Sequence, residues 1–339
     1  MFLWKWLKRT VYYLIIFTLL LAIAGTAYQL IREHLDKKKY PPPGELVDVG
    51  DYKLHYQLMG EGSPTVILDA GIGGSSIDWT LIQPEIAQFT SVFSYDRAGY
   101  GWSEEVKGGR TGWETVEDLN TLLQKQNIKP PYVLVGHSLG AAFMRLYASL
   151  YPEKVVGLVL VDPSHEKLEE ESGKPPQELF MPDPEVIEMI SQMGVQRILL
   201  EWTGKAPDDF PLRTQKMWLA KQAATKQTIA ALRESEQIDD LLKELVPIES
   251  HIGDRPLVVI SAGKRTDLTS IGLSEDWNQY AEQRFNKQKE LHGDLVAKAR
   301  RGKLVLAEDS DHMVPWNQPQ VVVDAVREIV EKVREETDY

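Results

Sequence analysis

The 339-residue chain contains no cysteine. This absence excludes disulfide bonds, a thiolate nucleophile and zinc sites built from cysteine ligands. Internal repeats and low-complexity tracts are absent as well. With 43% hydrophobic and 26% charged residues, the chain can bury a sizeable core. Its length suits a single large α/β unit better than several small domains.

Basic residues are scarce beyond the N-terminus. The net charge is −12, yet the first 39 residues carry seven Lys and Arg against only two acidic residues. The remaining body is therefore strongly acidic and contains no basic patch. Because phosphate contacts need clustered Lys and Arg, we expect no nucleic-acid partner.

Charge is missing altogether from a 22-residue run, Thr10 to Ile31. As a helix this run would extend about 33 Å at ~1.5 Å per residue, enough to cross a hydrocarbon core of about 30 Å. We predict a single-pass membrane anchor over residues 10–31. A cleavable signal peptide is the alternative, since small residues occur at 22–27. Aromatic residues suited to the membrane interface lie near its ends, namely Trp4, Trp6, Tyr12, Tyr13 and Tyr28.

The orientation of this anchor is not fixed by counting charges, because three basic residues precede the run and four follow it. A short charged N-terminus before a first helix is typical of a signal anchor. We therefore expect the rest of the chain to lie outside the cytoplasm.

Beyond a Pro-rich linker, the body alternates continuous apolar runs with helical stretches. This rhythm is typical of a parallel sheet covered on both faces, and it predicts a mostly parallel α/β sheet of about eight strands. Between 163 and 255 we find helical stretches and no convincing strand, which predicts a helical lid over the carboxyl ends of the strands. The predicted organisation is an anchor and charged flank at 1–40, a linker at 41–44, a core at 45–162 and 256–339, and a lid at 163–255.

The strongest motif is Gly136-His137-Ser138-Leu139-Gly140, which matches G-x-S-x-G between an apolar strand and a helix. The serine of this motif lies on a tight, strained turn, so small residues are needed two positions before and after it. The turn also directs the N–H of Leu139 toward a developing oxyanion. The motif predicts Ser138 as a nucleophile.

A serine hydroxyl is a poor nucleophile unless an imidazole removes its proton. His312 follows the last predicted strand and precedes the last helix, which gives it the place in chain order that this turn requires. His251 and His292 also follow Ser138, but they lie in the predicted lid and in a polar helix. We therefore predict His312 as the general base.

Three segments together resemble the α/β-hydrolase superfamily: GHSLG at 136–140, SYDRAGYGWS at 94–103, and DHMVPWNQP at 311–319. The resemblance covers residues 45–337. It implies a lid-bearing serine hydrolase similar to esterases and lipases, and it says little about the substrate. Asp96 and Arg97 precede the nucleophile, so we expect them to hold a Gly-rich loop by hydrogen bonds.

The resemblance also implies the remaining site residues. The oxyanion hole would combine the backbone N–H groups of Ile72 and Leu139, although Ala70 stands where many relatives carry histidine. The acid would be Asp267, after the strand that follows the lid, at a spacing one residue longer than usual. Asp162, at the end of the preceding apolar run, is the alternative acid, as some relatives use that position.

We therefore expect acyl transfer from a small-molecule ester or lipid-like substrate to water, with no metal and no organic cofactor. A serine nucleophile argues against the dehalogenases and epoxide hydrolases of the superfamily, which need a carboxylate there. An aminopeptidase, a lipid acyltransferase and a perhydrolase would use the same triad. A non-catalytic, membrane-tethered binding protein on this scaffold is the alternative from another class.

Overall fold

The computed structural model describes residues 2–176, 182–245, 253–265 and 274–337. The chain forms two compact units. The first combines Met1–Pro41 with Phe180–Ile229, and the second combines Pro42–Leu179 with Ala230–Tyr339. The segment predicted as a lid is thus divided between the two units.

The second unit is built on one eight-stranded sheet with the strand order β1-β2-β4-β3-β5-β6-β7-β8. The first two strands pair as an antiparallel hairpin, β2 joins β4 in an antiparallel manner, and all later pairs are parallel. The prediction of a mostly parallel sheet of about eight strands is confirmed. The strands are β1 (Glu45–Asp48), β2 (Lys53–Met59), β3 (Thr65–Asp69), β4 (Val92–Tyr95), β5 (Tyr132–His137), β6 (Val155–Val161), β7 (Pro256–Ala262) and β8 (Arg301–Ala307).

The helices fill both the connections between strands and the predicted lid. In the described part of 163–255 no strand precedes β7, as the sequence predicted. The helices are α1 (Phe2–Lys39), α2 (Gln83–Ile86), α3 (Gly112–Lys125), α4 (Leu139–Leu150), α5 (Leu168–Glu171), α6 (Pro184–Gln192), α7 (Val195–Thr203), α8 (Leu212–Gln222), α9 (Thr225–Glu236), α10 (Ile238–Leu245), α11 (Glu275–Ala297), α12 (Val314–Asn317) and α13 (Pro319–Thr337).

Alternate residues of the central strands point to opposite faces of the sheet. Leu134 and Leu158 join an apolar cluster with α3 and α4, whereas Val133 and Val135 join a second cluster with α13. Because both faces are buried, these strands are apolar along their whole length. The closing helix, α13, buries Val322, Ala325, Val326, Ile329 and Val333, which recur at helical spacing on one side of it.

In the first unit, α1 packs against α6 and α8. Among the described residues it is the one helix that is long and apolar enough to cross a membrane, with a mean hydropathy of 2.1 over its most apolar stretch. Only 6% of that stretch is buried, so its apolar side chains face outward.

Candidate active site

Ser138 lies on a sharp turn between β5 and α4. Its backbone angles, φ 54° and ψ −119°, lie in a strained region that residues other than glycine rarely adopt. A Cβ atom at Gly136 would lie 2.5 Å from the backbone nitrogen of Ala141, and one at Gly140 would lie 2.5 Å from the carbonyl oxygen of Ala70. The two glycines are therefore required by the close approach of neighbouring backbone, as the motif predicted.

His312 donates from Nδ1 to the Oδ2 atom of Asp162 at 2.6 Å. Asp162 follows β6 directly, has a positive φ of 40° and is only 4% exposed. Its other oxygen accepts a hydrogen bond from the backbone N–H of Ala262 at 2.9 Å. Burial alone would raise the pKa of the Asp162 carboxyl, but the hydrogen bond and the charge of His312 outweigh it and lower this pKa. The pair is thus an imidazole whose orientation a carboxylate holds.

Two carboxylates, Asp267 and Asp162, are the candidates for the acid that would orient His312. Asp267, favoured by the resemblance, lies outside the described residues. Asp162, the alternative, is the carboxylate that contacts His312. A carboxylate at a strand terminus is held rigidly, because the sheet fixes the backbone on one side of it.

His137 connects the nucleophile turn to the loop of His312. Its Nε2 donates to the carbonyl oxygen of His312 at 2.8 Å, and the centres of the two rings lie 4.8 Å apart. Burial, with help from the charge of His312, lowers the pKa of His137 to about 3. A neutral ring that donates through Nε2 serves to position His312.

No hydrogen bond joins the Ser138 hydroxyl to His312 within the described chain; such bonds are often long in free enzymes and tighten around substrate.

The loop after β3 lies against the nucleophile. A Cβ atom at Gly71 would be 3.2 Å from the Cβ of Ser138. Ile72 follows, and its side chain is 38% exposed. In the described part of the molecule, the N–H groups of Ile72 and Leu139 donate to no other group of the chain. Both donors are therefore available to an oxyanion.

Arg97 holds this loop in place. Its guanidinium donates to the carbonyl oxygens of Ala70 at 2.6 Å and Gly71 at 2.9 Å. It also pairs with the buried carboxylate of Asp69 and with Glu234. Arg97 is 5% exposed, so these charges are paired away from water. The arrangement gives Arg97 the loop-holding role expected from its sequence position.

His292 is a buried site residue that sequence reasoning missed. Its Nδ1 hydrogen-bonds the Ser261 hydroxyl at 2.9 Å, its Nε2 hydrogen-bonds the carbonyl oxygen of Pro163 at 3.0 Å, and it lies 4.0 Å from Asp162. Burial lowers the pKa of His292. No signal in the sequence marks it, because α11 is polar along most of its length. His292 therefore supports the segment that carries Asp162 and Pro163.

The described residues contain no group of three or more side chains placed to hold a metal ion.

Comparison with known proteins identifies the family. Residues 66–325 match the alpha/beta hydrolase family, and the chain belongs to this family. The Bacillus subtilis protein YqjL is 25% identical over 270 residues, which are 80% of this chain and 85% of YqjL.

Solved structures share the fold. A probable hydrolytic enzyme from Pseudomonas aeruginosa superposes with a TM-score of 0.64 at 17% identity, covering 85% of this chain and 94% of its own. A thermophilic esterase from Thermogutta terrifontis has a TM-score of 0.55 at 18% identity, covering 83% of this chain and 94% of its own. Family and fold together assign the chain to the hydrolases of this superfamily.

Proposed function

We propose that the protein is a membrane-anchored serine hydrolase that cleaves carboxylic esters through an acyl-enzyme on Ser138. His312 is its general base and Asp162 its acid. The observation that carries the proposal is the hydrogen bond from His312 Nδ1 to a buried carboxylate beside a strained serine turn. This arrangement orients an imidazole for proton transfer and stabilises its charged form.

The reaction would proceed in two acyl transfers. The Ser138 hydroxyl attacks the ester carbonyl and passes its proton to Nε2 of His312, while Asp162 stabilises the imidazolium at Nδ1. The N–H groups of Ile72 and Leu139 bind the oxyanion. Collapse expels the alcohol, which takes the proton from His312. Water then attacks the acyl-enzyme by the same route and restores the free serine, and no step calls for a metal or an organic cofactor.

The test is activity of the full chain in detergent on p-nitrophenyl esters of rising chain length and on aminoacyl amides. We expect ester hydrolysis and labelling by a fluorophosphonate probe, both abolished in Ser138→Ala. Preference for the amides would indicate an aminopeptidase, and acyl transfer to added alcohol or peroxide would indicate an acyltransferase or perhydrolase. Absence of labelling in the folded wild-type chain would indicate a non-catalytic binding protein.

For membrane attachment, we propose that α1 crosses the bilayer once and that the hydrolase lies outside the cytoplasm. The outward-facing apolar side chains of α1 and the short charged segment before them support this proposal. Protease added to intact cells should remove the hydrolase, and full protection would reverse the orientation.

A further inference from the structure

The charge-free run of α1 extends into a region where other helices of the first unit pack against it. Lys8 and Arg9 precede the run, so the hydrocarbon core begins near residue 10. A core of about 30 Å takes up about 20 residues of helix, which places its far boundary near residue 30.

The last part of this run is already covered by the first unit's own helices. A Cβ atom at Gly25 would lie 2.4 Å from the carbonyl oxygen of Met193, at the end of α6. Gln29, 1% exposed, accepts a hydrogen bond from Arg197 of α7 at 2.7 Å. The turn between α6 and α7 therefore contacts α1 at Gly25, before the boundary expected near residue 30. At ~1.5 Å per residue, this contact lies about 7 Å inside the expected hydrocarbon core.

Helix α7 has its polar side inward and its apolar side outward. Arg197 is 2% exposed and bonds Gln29 and Asp36 of α1, while Gln196 hydrogen-bonds Thr228 and the carbonyl oxygen of Gln222. The opposite side carries apolar residues at i, i+3, i+4 and i+7, with exposed fractions from 40% to 85%. These residues are Val195, Ile198, Leu199 and Trp202, and Val186 and Met189 of α6 are exposed as well.

A surface helix in water normally has the reverse arrangement, and a contiguous exposed apolar stripe marks an interaction surface. Resting on the proposed membrane span, we propose that the α6–α7 face (Val186, Met189, Val195, Ile198, Leu199 and Trp202) inserts into the lipid bilayer beside α1.

Three further features favour lipid as the partner. The turn between α6 and α7 contacts α1 at Gly25, so the α6–α7 face lies beside the apolar run of α1 within the first unit. Lys37, Lys38 and Lys39, all exposed, follow at the end of α1 and suit anionic headgroups just above the hydrocarbon core. Trp202, 85% exposed, has the amphipathic ring favoured at the membrane interface.

The chain has no cysteine, so single cysteines can be labelled without removing any native one. We propose to label the single-cysteine variants Leu199→Cys and Trp202→Cys of the full chain with an environment-sensitive fluorophore. Each labelled protein is placed in nanodiscs of phosphatidylcholine and phosphatidylglycerol. Ile15→Cys, on the proposed span, is the control for lipid burial. Trp113→Cys, on α3 and 52% exposed, is the control for a water-exposed site. Quenching by iodide is compared with quenching by nitroxide-labelled lipid.

We expect positions 199 and 202 to show blue-shifted emission, strong lipid quenching and several-fold weaker iodide quenching than position 113. Iodide quenching equal to that at 113, with position 15 buried in lipid, would overturn this inference alone. Protection from both quenchers would show that a second protein copy covers the face and would also overturn it. If position 15 itself is open to iodide, the membrane span fails and this inference fails with it.

Discussion

The Asp162 carboxylate accepts three hydrogen bonds, from His312 Nδ1 at 2.6 Å, from the Ala262 N–H at 2.9 Å and from Gln288 Nε2 at 3.3 Å. Donors of this number favour the ionised form of a carboxyl group, despite burial. The pKa of Asp162 is accordingly lowered, so this carboxyl group is ionised at neutral pH. Its function in the proposed reaction is to hold one tautomer of the imidazole.

Asp162→Asn tests this role against Asp267→Asn. The amide keeps the shape of the carboxylate but favours the wrong imidazole tautomer, so kcat should fall by about 10⁴-fold. Asp267→Asn should leave kcat essentially unchanged. Steady-state hydrolysis of a p-nitrophenyl ester measures both, and a loss of turnover confined to Asp267→Asn would refute the assignment of Asp162.

At the scale of elements, the strand–helix junction depends on backbone contact that only glycine permits. Gly140 in the first turn of α4 faces the end of β3, where the carbonyl oxygens of Asp69 and Ala70 approach. The loop carrying Ile72 begins at this same strand end. The packing of one helix on one strand thus sets the distance between Ser138 and Ile72, the proposed nucleophile and second oxyanion donor.

Gly140→Ala should disturb this junction. The added methyl group would lie 2.5 Å from two carbonyl oxygens, so β3 and α4 must separate. We expect a loss of about 1–3 kcal/mol in the free energy of unfolding, together with reduced kcat.

Gly293→Ala is the matched control, because nothing lies within 4 Å of an added Cβ in α11. Gly293→Ala should raise the free energy of unfolding by about 0.5–1 kcal/mol, because alanine has a higher helix propensity than glycine. Denaturant titration and ester hydrolysis measure both variants, and equal stability of the two would contradict the proposed contact.

At the scale of the whole molecule, the first unit depends on α1 for its packing. Arg197 is buried and pairs with Asp36 at 2.7 Å, and the backbone N–H of Thr225 donates to Glu33 at 2.8 Å. The C-terminal end of α1 is therefore part of the packing of residues 182–229.

Removal of residues 1–40 should destabilise the first unit selectively. Arg197 would lose Gln29 and Asp36, Thr225 would lose Glu33, and the surface that α1 covers would be exposed to water. We expect limited proteolysis to cut the shortened chain within 182–229 much faster than the intact chain. The proposed triad lies in the second unit, so fluorophosphonate labelling should persist. Equal protease resistance of the two chains would show that α1 contributes nothing to this packing.

Stability should also fall in acid because of His137. Burial lowers the pKa of His137 from the ordinary imidazole value of 6.5 to about 3. Between these two pH values the unfolded chain therefore binds a proton that the folded chain does not. Stability is thus full above about pH 6.5 and decreases as the pH falls toward 3. By about pH 3 this single group lowers the free energy of unfolding by up to about 5 kcal/mol.

His137→Asn should weaken this dependence of Tm on pH, whereas His34→Asn, at an exposed position of α1, should keep it. Thermal unfolding in detergent between pH 3 and 8 measures the slopes. An unchanged slope in His137→Asn would exclude His137 as the source.

The sequence determined the sheet, the serine turn and the apolar helix, because each is encoded by neighbouring residues. The runs TVILD and YVLVGH are apolar throughout since both faces are covered, and GHSLG places small residues where backbone approaches within 2.5 Å. The order of residues in the chain also points to His312 as general base, and this role stays a prediction.

Only the tertiary structure decided which carboxylate meets His312, since Asp162 and His312 are 150 residues apart and spacing carries no information about that distance. The same holds for the burial of His292 and for the contact of Gln29 with Arg197. These contacts arise where separate elements pack, and no local pattern of residues records them.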